Sequence, residues 1–352
     1  MFKPKYTISS RIVNRLSEIA EIKATVARSA LLPEREVFLR RAATIKMAHT
    51  STSIEGNRLQ EYQVEELAQG KKIQAERNQI KEVENYLLAL KQIDKLSELE
   101  TIFKEADIFK VHKTVIDELV PSEKAGVWRK NQVYIVNIST KGEEEVAYTP
   151  PTSADVPILV KELINWLDTN REVHPIIRAG LFHYQFETIH PFTDGNGRTG
   201  RLLTLLHLYQ SGWDFKKTLV LEDFYNNNRK RYYESLQTGK TYKLREEADL
   251  TGWLEYFVEG FLEEARKVKD QIVSLSVLGD LHSTRNILDK DELMIVDFAV
   301  SMGKVTSLDV VDFLRIPQRT AQSKLKKLED IKVLKKLGAG PASYYVISDK
   351  TK

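Results

Sequence analysis

Three observations predict a mainly α-helical chain: apolar residues recur at helical spacing over most of its length, a single pair of β-prone stretches interrupts them, and the C-terminal segment carries a separate pattern of three helices and a short strand pair. Ile12, Leu16, Ile19 and Ile22, then Val64, Leu67, Ile80, Val83, Tyr86 and Leu87, mark an N-terminal helical domain over residues 1–97. A core over 98–240 follows, with helices expected from Thr101 to Leu119, Val156 to Thr169 and Pro175 to Thr188. Within it, Asn131 to Asn137 and Val146 to Pro151 flank the polar Lys141-Gly142 turn and predict a β-hairpin. A helical connector over 241–283 is read from Leu250, Trp253, Leu254, Phe257, Val258, Phe261 and Leu262. The polar stretch from Gly279 to Leu288 is the expected hinge before a terminal module over 284–352.

Composition narrows the function classes. The chain has 352 residues, 42% of them hydrophobic, enough for a substantial core. It contains no cysteine, which excludes a disulfide-stapled scaffold, and no apolar N-terminal run, so a soluble cytoplasmic protein without membrane contact is expected. A net charge of +3, from 53 basic and 50 acidic residues, is too balanced to imply nucleic acid by itself. The histidines His49, His112, His174, His183, His207 and His282 have no cysteine partners and no His-Glu-x-x-His spacing, so no zinc site is expected.

The chemistry concentrates in His190-Pro191-Phe192-Thr193-Asp194-Gly195-Asn196-Gly197-Arg198-Thr199-Gly200-Arg201. The two outer glycines of Gly195-Asn196-Gly197 let backbone N–H groups curl toward an anion. The apolar run that follows, Leu202, Leu203, Leu205, Leu206 and Leu208, predicts a helix whose positive N-terminus faces the same point. Asp194 is suited to a divalent cation, Arg198 and Arg201 to bidentate phosphate contacts, and His190 to taking a proton from an attacking hydroxyl. A lone Gly-Asn-Gly is ordinarily a turn; its combination with a base, a carboxylate and two arginines in front of a helix is what turn chemistry does not produce.

This segment resembles the signature of the Fic family, His-x-Phe-x-Asp/Glu-Gly-Asn-Gly-Arg-x-x-Arg, and every defined position matches. The resemblance implies a helical Fic core and transfer of AMP from ATP to a Ser, Thr or Tyr hydroxyl of a protein, including the enzyme itself. It implies that His190 is the general base and that Asp194 ligates Mg2+. Gly195, Asn196, Gly197, Arg198, Thr199, Gly200 and Arg201 would cradle the phosphates, with Phe192 as the buried anchor. Related Doc kinases lack the glycine at the position of Gly195, so its presence favours nucleotidyl transfer. Family members often dimerise through the core, which implies a homodimer.

Upstream, Ser51-Thr52-Ser53-Ile54-Glu55-Gly56-Asn57 places Ser51 and Glu55 on one helical face, with Gly56 as a left-handed stop. The segment is similar to the inhibitory helix of Fic proteins, whose glutamate pairs with the second signature arginine, here Arg201. The alternative is an ordinary helix end with a solvated glutamate. The hairpin looks like the family's flap, which adds a target segment as an extra strand. The helix from Asn226 to Leu236 carries Tyr232 and Tyr233, expected against adenine by resemblance, although aromatics at this spacing are commonly core.

In the terminal module, Leu293, Ile295, Val296 and Phe298 predict one helix, Ser307 caps a second to Leu314, and Pro317 opens a third through Leu328. Ile331 to Leu337 and Ser343 to Ile347 flank Gly338-Ala339-Gly340-Pro341, completing a winged helix-turn-helix. From Gln318 to Leu337 the basic residues are Arg319, Lys324, Lys326, Lys327, Lys332, Lys335 and Lys336, against Glu329 and Asp330, an excess suited to DNA phosphates. A protein-contact module with a solvated basic face is the competing reading. Two other functions share these features: a hydrolase that removes AMP with Glu55 orienting water, and a DNA-binding regulator whose core senses nucleotide.

Overall fold

Helices dominate because the apolar periodicity is helical almost everywhere. The computed structural model describes residues 2–29, 31, 33–99, 101–138, 144–280, 288–338 and 343–348, with fifteen α-helices and two two-stranded sheets among them. The flap tip with Lys141-Gly142, the central part of the hinge with His282, and the turn at Ala339 to Pro341 lie outside the described residues. Contacts divide the chain into two units, 1–23 with 43–265 and 24–42 with 266–352.

The N-terminal helical region comprises α1 (Ser10–Arg28), α2 (Pro33–Ile54), α3 (Glu61–Ala68) and α4 (Arg77–Ser97), of which the end of α1 and the start of α2, within 24–42, belong to the second unit and the rest to the first. Next come α5 (Glu105–Val115), the hairpin β1 (Ile135–Ile138) and β2 (Glu144–Tyr148), α6 (Val156–Thr169), α7 (Pro175–Ile189) and α8 (Asn196–Gln210). Nearly every side chain of α7 from Ile176 to Ile189 is buried, so α7 is the central rod, packed between α6 and α8, with α4 and α5 on α8. The apolar start of α12 (Thr251–Asp280) contributes Trp253, Leu254, Phe257 and Phe261 to the same core. Gly180 permits this approach: a Cβ there would stand 3.0 Å from Phe257 and 3.1 Å from Leu254.

The hairpin is shorter than the β-prone stretches. β1 and β2 pair antiparallel, Val136 opposite Val146, with an irregularity between Ile135 and Val136. After Tyr148 the chain leaves the hairpin: Thr149 N–H donates to Lys240 O at 3.0 Å, and Pro150 and Pro151 have no N–H for a ladder. The expected helix from Asn226 is split in two, α9 (Leu221–Asn227) and α10 (Arg229–Leu236). Asn228 is the reason. It has left helical geometry, and its side chain caps α10 by accepting from Arg231 N–H at 3.0 Å. A five-residue helix, α11 (Tyr242–Glu246), precedes α12.

The second unit contains α13 (Lys290–Met302), α14 (Ser307–Leu314), α15 (Gln318–Asp330) and the antiparallel pair β3 (Leu334–Leu337) and β4 (Tyr344–Ile347). Val305 bridges to Tyr345 through two 2.8 Å hydrogen bonds. Ile295, Val296, Ala299, Val310, Ala321, Leu325, Leu328 and Leu334 close its core. Thr306, and not Ser307, caps α14: its hydroxyl accepts from Asp309 N–H at 3.1 Å while Asp309 accepts from Thr306 N–H at 2.7 Å. Among the described residues, no helix is long and apolar enough to cross a membrane.

Candidate active site

The signature segment runs from the C-terminus of α7 to the N-terminus of α8, and its backbone is shaped by residues at both ends. His190 ends α7 in the left-handed region, φ 50°, with its N–H on Phe186 O at 2.9 Å. Asn196 turns back on the loop: Phe192 N–H donates to its Oδ1 at 2.9 Å and its Nδ2 donates to Phe192 O at 3.0 Å. The expected anchor, Phe192, is fully buried and stacked on the His112 ring at 3.5 Å.

Gly195 opens α8 at φ 76°, and a Cβ there would run into Ile116 at 2.5 Å. Thr199 N–H is the first in α8 to reach an intrahelical acceptor, Gly195 O at 3.0 Å, which leaves the N–H groups of Asn196, Gly197 and Arg198 as open donors of the helix end. Thr199 and Gly200, expected in the phosphate cradle, lie just inside the helix. Thr199 is buried, and Gly200 gives room to Glu187, whose Oε1 would stand 2.5 Å from a Cβ at that position.

The two signature arginines are buried but not saturated. Arg201 donates through Nε to Ser51 Oγ at 2.8 Å, and through Nη2 to Ser51 O at 2.9 Å and Glu55 Oε1 at 2.8 Å. Its Nη1 is buried without a hydrogen-bond partner. Arg198 Nη1 stands 2.6 Å from Glu82 Oε1, outside hydrogen-bond geometry, while its Nε has no partner and its Nη2 reaches Asp194 Oδ1 at 3.4 Å. Buried guanidinium N–H groups left unpaired are costly, and a phosphate would satisfy them.

Ser51 and Glu55 lie beside Arg201, both within hydrogen-bond reach of its guanidinium. The last turn of α2 carries Ser51, Gly56 follows at φ 100°, and the Glu55 carboxylate lies against Gly197, where any Cβ would collide with it. Burial alone would raise the Glu55 pKa, but the charges of Arg201 and Arg198 outweigh it and hold the carboxyl below its ordinary value. The glutamate is therefore an anion already seated at the open helix end.

His190 is deprotonated by its surroundings. Burial lowers its pKa to about 4 against the opposing pull of the Glu187 carbonyl, so the imidazole is a neutral acceptor at pH 7. Glu187, one turn earlier on α7, is pushed up to about 7 by burial, with Arg201 opposing and Glu55 adding. Asp194 is the open carboxylate of the loop, its side chain 54% exposed, with Oδ1 taking the Gly195 N–H. No cluster of three or more His, Cys, Asp or Glu suited to a metal occurs among the described residues. Asp194 alone fits Mg2+, which takes one or two carboxylates and completes its shell with water and phosphate oxygens.

Two supports lie outside the expected site residues, His112 and Arg129, the latter closing the Gly126-Val127-Trp128-Arg129 entry to the hairpin. His112 accepts from Gly126 N–H through Nδ1 at 2.9 Å, which fixes Nε2 as the protonated nitrogen donating to Asp194 O at 2.9 Å. Arg129 donates through Nε to His190 O at 2.9 Å and through Nη1 to Asn131 O at 3.2 Å, and its own N–H donates to Pro191 O at 3.0 Å. The base of the flap is thus bonded to the start of the signature loop. Tyr134, Val136 and Val146 remain exposed on the hairpin.

The two tyrosines separate. Tyr232 is 1% exposed, its hydroxyl 2.9 Å from His183 Nε2 and its ring stacked 4.5 Å from Tyr225. Tyr233 is 48% exposed, and its hydroxyl donates to Ile54 O at 3.4 Å.

Residues 102–208 match the model of the Fic/DOC family. Curated relatives include proteins named protein adenylyltransferase Fic from Drosophila willistoni, 30% identical over 70% of this chain and 47% of that protein, and from Drosophila virilis, 30% identical over 70% and 48%. The chain spans about half the length of the curated relatives it matches. Among solved structures, a Fic family protein from Desulfovibrio desulfuricans G20 superposes over 99% of both chains with a TM-score of 0.64 and 26% identity. Fic-1 from C. elegans shares the fold over 73% of this chain and 71% of that chain, with a TM-score of 0.60 at 24% identity.

Proposed function

Because the chain carries a Fic/DOC family domain over residues 102–208, we propose that it is a protein adenylyltransferase, restrained by Glu55, that moves AMP from ATP to a hydroxyl of a target protein. The observation that carries this reading is the pair of buried arginines with unpaired N–H groups beside three open helix-end donors, a cradle for a polyphosphate. The target oxygen attacks the α-phosphorus, its proton passes to neutral His190, and the bond to the β-phosphate oxygen breaks to release pyrophosphate. Arg198, Arg201 and the first N–H groups of α8 hold the leaving charge where it develops. Asp194 would hold Mg2+, which when bound supplies further positive charge to the phosphate oxygens.

Glu55 occupies Arg201 and the space beside Gly197, so a γ-phosphate and Glu55 compete for the same donors. Tyr233, with its open ring, is the adenine contact in this reading, and Tyr232 packs behind it. The target segment adds to the exposed flap hairpin as a further strand. A cysteine-free sequence supports action in the cytoplasm. The four-part division at 97, 240 and 283, a homodimer through the core, and DNA contact through a winged helix-turn-helix tail belong to the same proposal. AMP removal through the same site is a second reading, favoured by the Glu55 charge acting on His190.

Incubation with ATP labelled at the α-phosphate tests the reading. Protein labelling should rise in Glu55→Gly and vanish in His190→Ala; equal labelling in all three proteins overturns it, and loss of label from a pre-modified protein selects the hydrolase.

A further inference from the structure

Glu82, an acid outside the upstream motif, touches both halves of the restrained site. It lies on α4, its side chain 15% exposed, and its two carboxylate oxygens are divided. Oε1 stands 2.6 Å from Arg198 Nη1 of the signature loop, and Oε2 accepts from Asn57 Nδ2 at 2.8 Å. Asn57 is two residues beyond Glu55 and is bonded on every side: Nδ2 also donates to Gln79 O at 3.0 Å, its N–H donates to Thr52 O at 3.1 Å, and its Oδ1 accepts from Leu59 N–H at 3.0 Å.

The residue between them cannot do this work. A Cβ at Gly56 would meet nothing within 4 Å, so the turn that carries Glu55 has no packing of its own at that point. It is held from one side by Ser51 on Arg201 and from the other by Asn57 on α4. We propose that Glu82 is a positioning residue that seats the Glu55 turn, one oxygen on Asn57 and the other facing Arg198, and so couples the inhibitory segment to the phosphate loop. Because Arg198 lies in the proposed phosphate cradle, phosphate binding there and seating of the turn act on each other through a single carboxylate, and such coupling is reciprocal. The consequence for activity rests on the adenylyl-transfer reading; the seating itself does not.

The experiment therefore has two readouts on the full chain. Amide hydrogen exchange is followed at Glu55, Gly56 and Asn57, whose N–H groups donate to Thr52 O, Ser53 O and Thr52 O. Glu82→Ala should speed their exchange about tenfold, while Glu82→Gln, which keeps an acceptor for Asn57, and the control Glu84→Ala on an exposed position of α4 should leave it near wild type. Asn57→Ala should reproduce Glu82→Ala, which guards against a folding defect peculiar to one variant. Labelling from α-labelled ATP should rise severalfold in Glu82→Ala and not rise further when Glu55→Gly is already present. Unchanged exchange in Glu82→Ala and Asn57→Ala, with cooperative melting retained, overturns the proposal. Equal loss of labelling with and without Glu55→Gly overturns it as well, since Glu82 would then serve only to orient Arg198. If Glu55→Gly itself labels nothing, adenylyl transfer fails, and exchange alone decides the role of Glu82.

Discussion

Two helices of this protein begin or continue with clustered basic residues, and their environments differ completely. Arg198 and Arg201 at the start of α8 are buried, yet each retains a guanidinium N–H with no acceptor. On α15 two of the lysines are held by acids: Lys324 pairs with Asp289 at 2.7 Å and Asp291 at 3.2 Å, and Lys327 pairs with Glu292 at 2.8 Å. A count of charges treats both clusters alike. The physical difference is unspent hydrogen-bonding capacity, which is expensive in a core and is the mark of a site built for an anion. Solvated or paired surface lysines store little, since such pairs are worth about 0–1 kcal/mol.

The largest expected effect breaks the comparison at the base. In a Glu55→Gly background, His190→Ala should lower labelling by roughly 10²–10⁴, the range of a lost general base. A loss under about tenfold, measured in single-turnover labelling, would reduce α8 to a nucleotide-binding element. Next is release of the clamp. Glu55→Gly should raise labelling by about 5–150-fold, the span of a coupling of about 1–3 kcal/mol. A Glu55→Gln variant that stays fully restrained would remove the charge on Arg201 from the explanation.

The acid side of the pH profile comes third. An imidazole of ordinary pKa would lose most of its base form by about pH 5.5. His190, lowered to about 4 by burial, stays neutral there and protonates only as the pH falls toward that value. Removing Glu55 takes away a charge that raises this pKa, so the direction holds in the active variant. A higher break should come instead from Glu187, pushed up to about 7 while the Glu55 charge is present and lower once it is removed, and should vanish in Glu187→Gln. A limb near pH 6.5 that survives Glu187→Gln contradicts the burial argument.

Which parts were readable from sequence follows from the range of the forces involved. The Gly195 turn, the Gly56 stop and the Asn196 back-bond act within a few residues, and the helix-opening signals at α8 are local too. Partner choice is not local. Glu82 and His112 sit on helices whose sequence shows only amphipathic spacing, and nothing marks either until α4 and α5 pack on α8. Tyr232 and Tyr233 are adjacent, about 100° apart around a helix, so spacing alone cannot say which faces inward. Tyr225 and His183, supplied by α9 and α7, decide it. The hairpin ends before its β-prone stretch does, because β propensity does not record that Thr149 is captured by Lys240 and Tyr242.

The smallest expected effect probes the other side of the comparison. The buried residues Ala321, Leu325 and Leu328 define the inner face of α15, which leaves Arg319 and Lys326 on the opposite face, both without an ion pair among the described residues. If this face meets DNA, binding of the full chain to a mixed-sequence duplex should weaken with salt, and Arg319→Ala and Lys326→Ala should each reduce the logarithmic salt slope by about 1. Lys324→Ala should leave the slope alone, because that ammonium is already held by Asp289 and Asp291. Equal slopes in all three variants would mean that these lysines and arginine are interchangeable surface charge, and absence of duplex binding would turn the module toward protein contacts.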